Sequence, residues 1–106
     1  MIRAEISAGI CNLRTLVEAD SPDGMTVQLH TESNCPLVRA LAAELTEVDA
    51  FQELFKPQKD TSILALAAKH RLHTSCIVPA GILKAVEAAA RMALPAESSI
   101  SLHRQE

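Results

Sequence analysis

The chain has no tryptophan, no tyrosine and two phenylalanines, Phe51 and Phe55, among 106 residues. Its core must therefore be filled by Leu, Ile, Val and many alanines, and small side chains let helices approach closely whatever they pack on. The same shortage removes the aromatic platforms on which nucleic-acid bases stack, and a formal net charge of -3 supplies no basic footprint. Nucleic-acid binding is disfavoured. Charges break every apolar run well before the roughly 18 residues that a membrane span needs. Arg3 and Glu5 stand where a signal peptide would have its apolar centre, so no membrane partner and a cytoplasmic location are expected. No GxSxG, P-loop, HExxH or GxGxxG pattern occurs. The common hydrolase, nucleotide and hydride-transfer readings thus have no foothold, and the chain is not expected to be an enzyme.

What is present fits one α+β domain over residues 1–106, because 48% hydrophobic residues suffice for a core at this length. Ile2, Ala4, Ile6 and Ala8 alternate with Arg3, Glu5 and Ser7, the period of a strand with one buried face. Leu13, Thr15, Val17 and Ala19 repeat the pattern. Ser21-Pro22-Asp23-Gly24 reads as a hairpin turn, and Met25, Val27, Leu29 and Thr31 give the returning strand. From Pro36 the period turns helical, with Leu37, Leu41, Ala42 and Leu45 on one face. Thr46 and Asp49 resemble a capping box for a short helix carrying Phe51, Leu54 and Phe55. A third helix starts at Asp60 or Thr61 and runs to about Leu72. Pro79 opens the longest, which carries Ile82, Leu83, Val86, Ala89, Ala90 and Ala93 inward and ends at Pro95. Residues 99–103 alternate again, Ile100 and Leu102 against Ser99, Ser101 and His103, and predict a last strand rejoining the sheet. The acidic residues Glu44, Glu47, Asp49 and Glu53 and the basic run Lys69-His70-Arg71 read as solvated faces.

Three cysteines each fall at a boundary between elements: Cys11 between the first two strands, Cys35 directly before Pro36, Cys76 three residues before Pro79. An odd number cannot pair fully as intramolecular disulfides, and a reducing compartment leaves such thiols for metal binding or catalysis. Thiolates near helix starts are favoured by the helix dipole and its free N–H groups. The spacings, 24 and 41 residues, match no compact zinc finger, so tertiary structure must build any site. Three thiolates at one zinc ion or iron-sulfur cluster leave a fourth position. His73, on the loop of Cys76, is the best candidate; His30 could also reach, and His70 is a weaker one if its helix turns it outward. A thiol-redox or persulfide-accepting protein acting through Cys35 or Cys76 is the second reading. The third is an interaction module whose alanine-rich stretch, Val86 to Ala93, makes a homodimer contact.

The order of these stations resembles the U-type, NifU-like and IscU-like, iron-sulfur cluster assembly scaffolds. Cys11 precedes the hairpin, Cys35 leads into Leu37 to Leu45, and His73-Thr74-Ser75-Cys76 precedes Ile82-Leu83-Lys84-Ala85-Val86-Glu87-Ala88-Ala89-Ala90, over about residues 11–92. The resemblance implies an antiparallel sheet followed by helices, with zinc or a cluster held by Cys11, Cys35 and Cys76, joined by His73. It also implies a cysteine desulfurase or a cluster acceptor as partner. The chain departs from the family at Asn12-Leu13, where a glycine and an aspartate are usual, and at Asn34-Cys35-Pro36, where glycines flank the cysteine.

Overall fold

Apolar alternation builds three strands in the computed structural model, which describes residues 1–105: β1 (Ile2–Ser7), β2 (Arg14–Asp20) and β3 (Thr26–Ser33). They pair antiparallel, Ile6 opposite Thr15 and Thr15 opposite Ser33. Ile6, Val17, Ala19, Val27 and Leu29 are buried on one face, while Arg3, Glu5, Gln28, His30 and Glu32 lie exposed on the other. The turn between β2 and β3 forms as expected. Gly24 sits at φ 73°, its N–H donates to the Ser21 carbonyl at 3.2 Å, and the Asp23 carboxylate accepts the N–H groups of Met25 and Thr26, each at 2.9 Å.

The fold is α+β: a four-stranded antiparallel sheet with four helices. The fourth strand, however, is not the segment 99–103, which carries no regular structure; it is β4 (Glu47–Asp49), paired with β3 in the order β1-β2-β3-β4. Three residues are too few for a legible alternation, yet Val48 buries opposite Val27 and Thr46 extends the ladder by accepting the Leu29 N–H at 2.8 Å. The capping box also resolves differently. Asp49 itself caps α2 (Ala50–Leu54), accepting the N–H groups of Phe51 and Gln52 at 2.9 and 3.2 Å.

All helices pack on one face of the sheet or on each other. The first, α1 (Pro36–Glu44), lies on β3 and buries Val38 and Leu41; Leu37, expected inward, is 37% exposed because the apolar stripe is turned by one residue. A 3-10 turn (Gln58–Asp60) leads into α3 (Ser62–Lys69), and α4 (Val78–Ala89) lies across β1 and β2. Ile82 and Val86 are fully buried there, each contributing roughly 1.5–3 kcal/mol by leaving water. Ala85, Ala89 and Ala90 are buried in the same core, so the alanine-rich face expected to serve a homodimer is used within the chain. Among the described residues no helix is long and apolar enough to cross a membrane.

Helices α3 and α4 both stop earlier than expected, and by the same device. Arg71 and Arg91 take φ 57° and 62°, and each end closes with paired bonds: Arg71 N–H to Ala68 O with Leu72 N–H to Ala67 O, and Arg91 N–H to Ala88 O with Met92 N–H to Glu87 O. This left-handed closure usually takes glycine. The acidic residues expected merely to be solvated fasten elements together. Glu53, 2% exposed, accepts the Ser62 N–H on both oxygens at 2.9 and 3.0 Å and so anchors the start of α3. Glu44 takes Lys69 Nζ at 2.7 Å on one oxygen and His70 Nε2 on the other, tying α1 to α3 and holding His70 half-buried rather than outward.

Helix α4 lies close against β1 at Gly81, where a Cβ would lie 2.3 Å from Ile6 Cδ1 and 2.8 Å from Ile6 Cγ1. Gly81→Ala should therefore destabilise the protein by about 1–3 kcal/mol in denaturant unfolding. Adding Ile6→Val, which removes Cδ1, should recover part of that loss, whereas strictly additive effects would contradict the contact. Arg71→Gly should stabilise by about 1 kcal/mol, since glycine adopts the left-handed conformation without a Cβ penalty. The N–H groups of Met25 and Thr26 hold the Asp23 carboxyl below its ordinary value, and Lys69 then His70 do the same for Glu44. A lowered carboxylate stabilises above its unfolded value, ordinarily near 4 to 4.5, and that stability is lost as pH falls through the folded one. Acid titration of stability should accordingly be shallower in Asp23→Asn/Glu44→Gln than in the parent, and identical curves would count against both contacts.

Candidate functional site

The direction of α4 decides where the third cysteine goes. Its start packs at Gly81 against Ile6, near the end of β1, and its close reaches the β2–β3 turn, where Arg91 Nη1 donates to the Ser21 carbonyl at 3.3 Å. The helix therefore begins at the end of the sheet marked by Ser7, Arg14 and Ser33 and runs to the opposite end. Cys76, two residues ahead of α4, is brought back to the first end. Cys11 occupies the β1–β2 loop at that end, and Cys35 follows β3 at that end. Topology thus returns all three to one side of the domain.

Each is held differently. Cys11 is exposed, in a loop shaped by Gly9 at φ 89° and Asn12 at φ 56°, with the Asn12 N–H donating to the Gly9 carbonyl at 2.8 Å. Cys35 is half-buried at the N-cap of α1. Its backbone N–H donates to Ser33 Oγ at 3.0 Å, and that hydroxyl meets Thr15 Oγ1 at 2.8 Å and donates to the Arg14 carbonyl at 3.2 Å. Thr15 is only 4% exposed and Ser33 half-buried, so a largely shielded pair of hydroxyls from β2 and β3 fixes the entry to α1. Arg39 Nη1 adds a bond to the Ser33 carbonyl at 3.2 Å. Cys76 is half-buried, closing a turn in which its N–H donates to the His73 carbonyl at 2.9 Å. Cys35 and Cys76 both pack against the main core cluster, and all three cysteines are free thiols.

Sharing an end is not the same as sharing an ion. Thiolates on one zinc lie within about 4 Å of one another, and among the described residues no three His, Cys, Asp or Glu side chains are grouped to hold a metal. As placed, Cys11, Cys35, Cys76 and His73 do not fit a preassembled zinc or cluster site. His73 is exposed on its loop. His30 lies on the sheet's open face, 3.4 Å from Glu32 Oε1, and His70 is taken by Glu44. Neither joins the cysteines.

Sequence reasoning missed a second feature of this end. Two open clefts, about 350 and 310 Å³, flank it: one is lined by Glu5, Arg14, Leu16 and Glu32 with Ser33 and Asn34, the other by Ser7, Ala8, Gly9, Asn12, Leu13 and Arg14. Arg14 lines both. No local motif marks it, because the clefts exist only once β1, β2 and β3 are in register.

These features define a two-layer α+β domain with an open sheet face and a thiol-bearing end. The profile of a family of unknown function, DUF6951, matches residues 2–102, and the chain belongs to that family. No curated protein and no solved structure matches it.

Proposed function

We propose that this chain is a binding module, not an enzyme, whose working end is the one bearing Cys11, Cys35 and Cys76, and that these thiols take up a thiophilic cargo there. Zinc or an iron-sulfur cluster is the cargo that the resemblance to U-type scaffolds suggests, with a cysteine desulfurase or a cluster acceptor as the partner. The observation that carries the reading is topological. Cysteines 24 and 41 residues apart return to a single end of the sheet, two of them half-buried and one exposed on a loop with two left-handed residues. Because the ligands are not preassembled, uptake requires the Cys11 loop to close over Cys35 and Cys76, and the cost of that closure weakens the apparent affinity.

The placement of Cys35 favours one further reading. This residue stands at the N-cap of α1, half-buried, and a free thiol in that position suits acceptance of a persulfide sulfur as well as it suits a shared ion.

Anaerobic titration of the reduced protein with zinc, and with ferrous iron plus sulfide, separates these. About one cargo per chain, lost in each of Cys11→Ser, Cys35→Ser and Cys76→Ser while each unloaded variant still unfolds cooperatively, is the expected result. No uptake, with Cys35 alone alkylating much faster than the other two, would replace the cargo reading by the sulfur-accepting one. No uptake and no selective reactivity would remove both.

A further inference from the structure

Ile100 and Leu102 are 74% and 89% exposed, alternating with Ser99 and Ser101 in a segment without regular structure. A strand-like alternation fully in water has no reason to persist in a monomer, since its apolar side chains gain nothing there. The profile match runs to Leu102, the last apolar residue of the alternation, so the segment lies within the family domain. Principal extents of 49 × 28 × 25 Å fit a globule with a projecting segment.

The sheet has a matching vacancy. It is open, not closed into a barrel, and β1 forms one edge with six residues, no proline and an unpaired row of backbone groups. The other edge, β4, is only three residues long. On the helix side of β1, Ile2 and Ala4 are half-buried against the core, so a strand alongside would set its own apolar residues next to them.

We propose that residues 95–105 are a pairing strand, and that it adds antiparallel to the free edge of β1 in a second copy of this chain. The choice of a second copy rests on direction. Helix α4 runs toward the β2–β3 turn, the end at which β1 begins. A segment leaving there and laid straight back on its own β1 would run parallel to it, in a sheet that is otherwise antiparallel, and parallel pairing is the less stable. Reciprocal exchange between two copies gives the antiparallel ladder at both edges and closes as a twofold dimer. Ile100 and Leu102 then cover Ile2 and Ala4, with Ser99 and Ser101 on the open face beside Arg3 and Glu5.

Sedimentation and light scattering of the full chain test this beside two variants, one ending at Leu94 and one carrying Ile100→Ser/Leu102→Ser. The expected result is a full-chain mass of twice 11.4 kDa and a single-chain mass for both variants. Both variants should keep the parent's circular dichroism, because the segment supports no element of the single chain. Amide exchange at Arg3 and Glu5 should be slower in the full chain than in either variant. A full chain that stays monomeric up to its solubility limit would overturn the proposal. So would variants that remain dimeric, or a dimer whose β1 amides exchange as fast as the truncated form's.

Discussion

The seating of α4 on β1 is the contact on which the rest of the arrangement depends. With no side chain at position 81, the helix descends until its backbone meets Ile6, and at the far end Arg91 is fastened to the Ser21 carbonyl. Those two points fix the direction of the helix as well as its depth. A helix laid the other way would carry Cys76 to the hairpin-turn end and leave Cys11 and Cys35 alone. The core of Val17, Ile82 and Val86, all fully buried, fills the space this seating creates, and in a chain almost without aromatics that space has to be narrow.

Around this seat, polar groups do the work of registration. The Thr15–Ser33 hydroxyl pair locks β2 to β3 at the cysteine end and passes the constraint to the Cys35 backbone. Glu53 secures the start of α3, and Glu44 holds its close through Lys69 and His70. The buried Glu53 carboxylate can leave water because it answers the Ser62 N–H with both oxygens, whereas Glu44 meets its cations at the surface. The cysteine end carries no such internal pairing of its thiols. Regular elements deliver the thiols to one end, Cys35 and Cys76 against the core and Cys11 on an exposed loop.

Much of the fold was legible from period and punctuation. Ile2 to Ser7, the Ser21–Gly24 turn, Pro36 and Pro79 announce their elements because each depends on local backbone preference or simple alternation. The failures share a cause. Val48 joins the sheet through one long-range pairing, and a three-residue strand has no period to read. Ile100 and Leu102 have the period but no partner within the chain. Arg71 and Arg91 end helices in a conformation that sequence habit assigns to glycine. Glu44 and Glu53 look like solvated charge until α3 is packed beside them. For the site, the boundary positions of Cys11, Cys35 and Cys76 were readable, and connectivity then carries them to one end, since the β1–β2 loop, the close of β3 and the start of α4 all lie there. Their separation within that end was not, because spacing along a chain carries no information on the last few ångströms.

The common end of the domain for the three thiols is the central claim, and pairwise distances between spin labels on Cys11, Cys35 and Cys76 measure it directly. In variants keeping two cysteines at a time, every pair should lie closer than the length of a six-residue strand, about 20 Å at 3.3 Å per residue. A pair separated by the full length of the sheet, with Cys76 near the hairpin turn, would contradict the seating of α4 and with it the working end proposed for this protein.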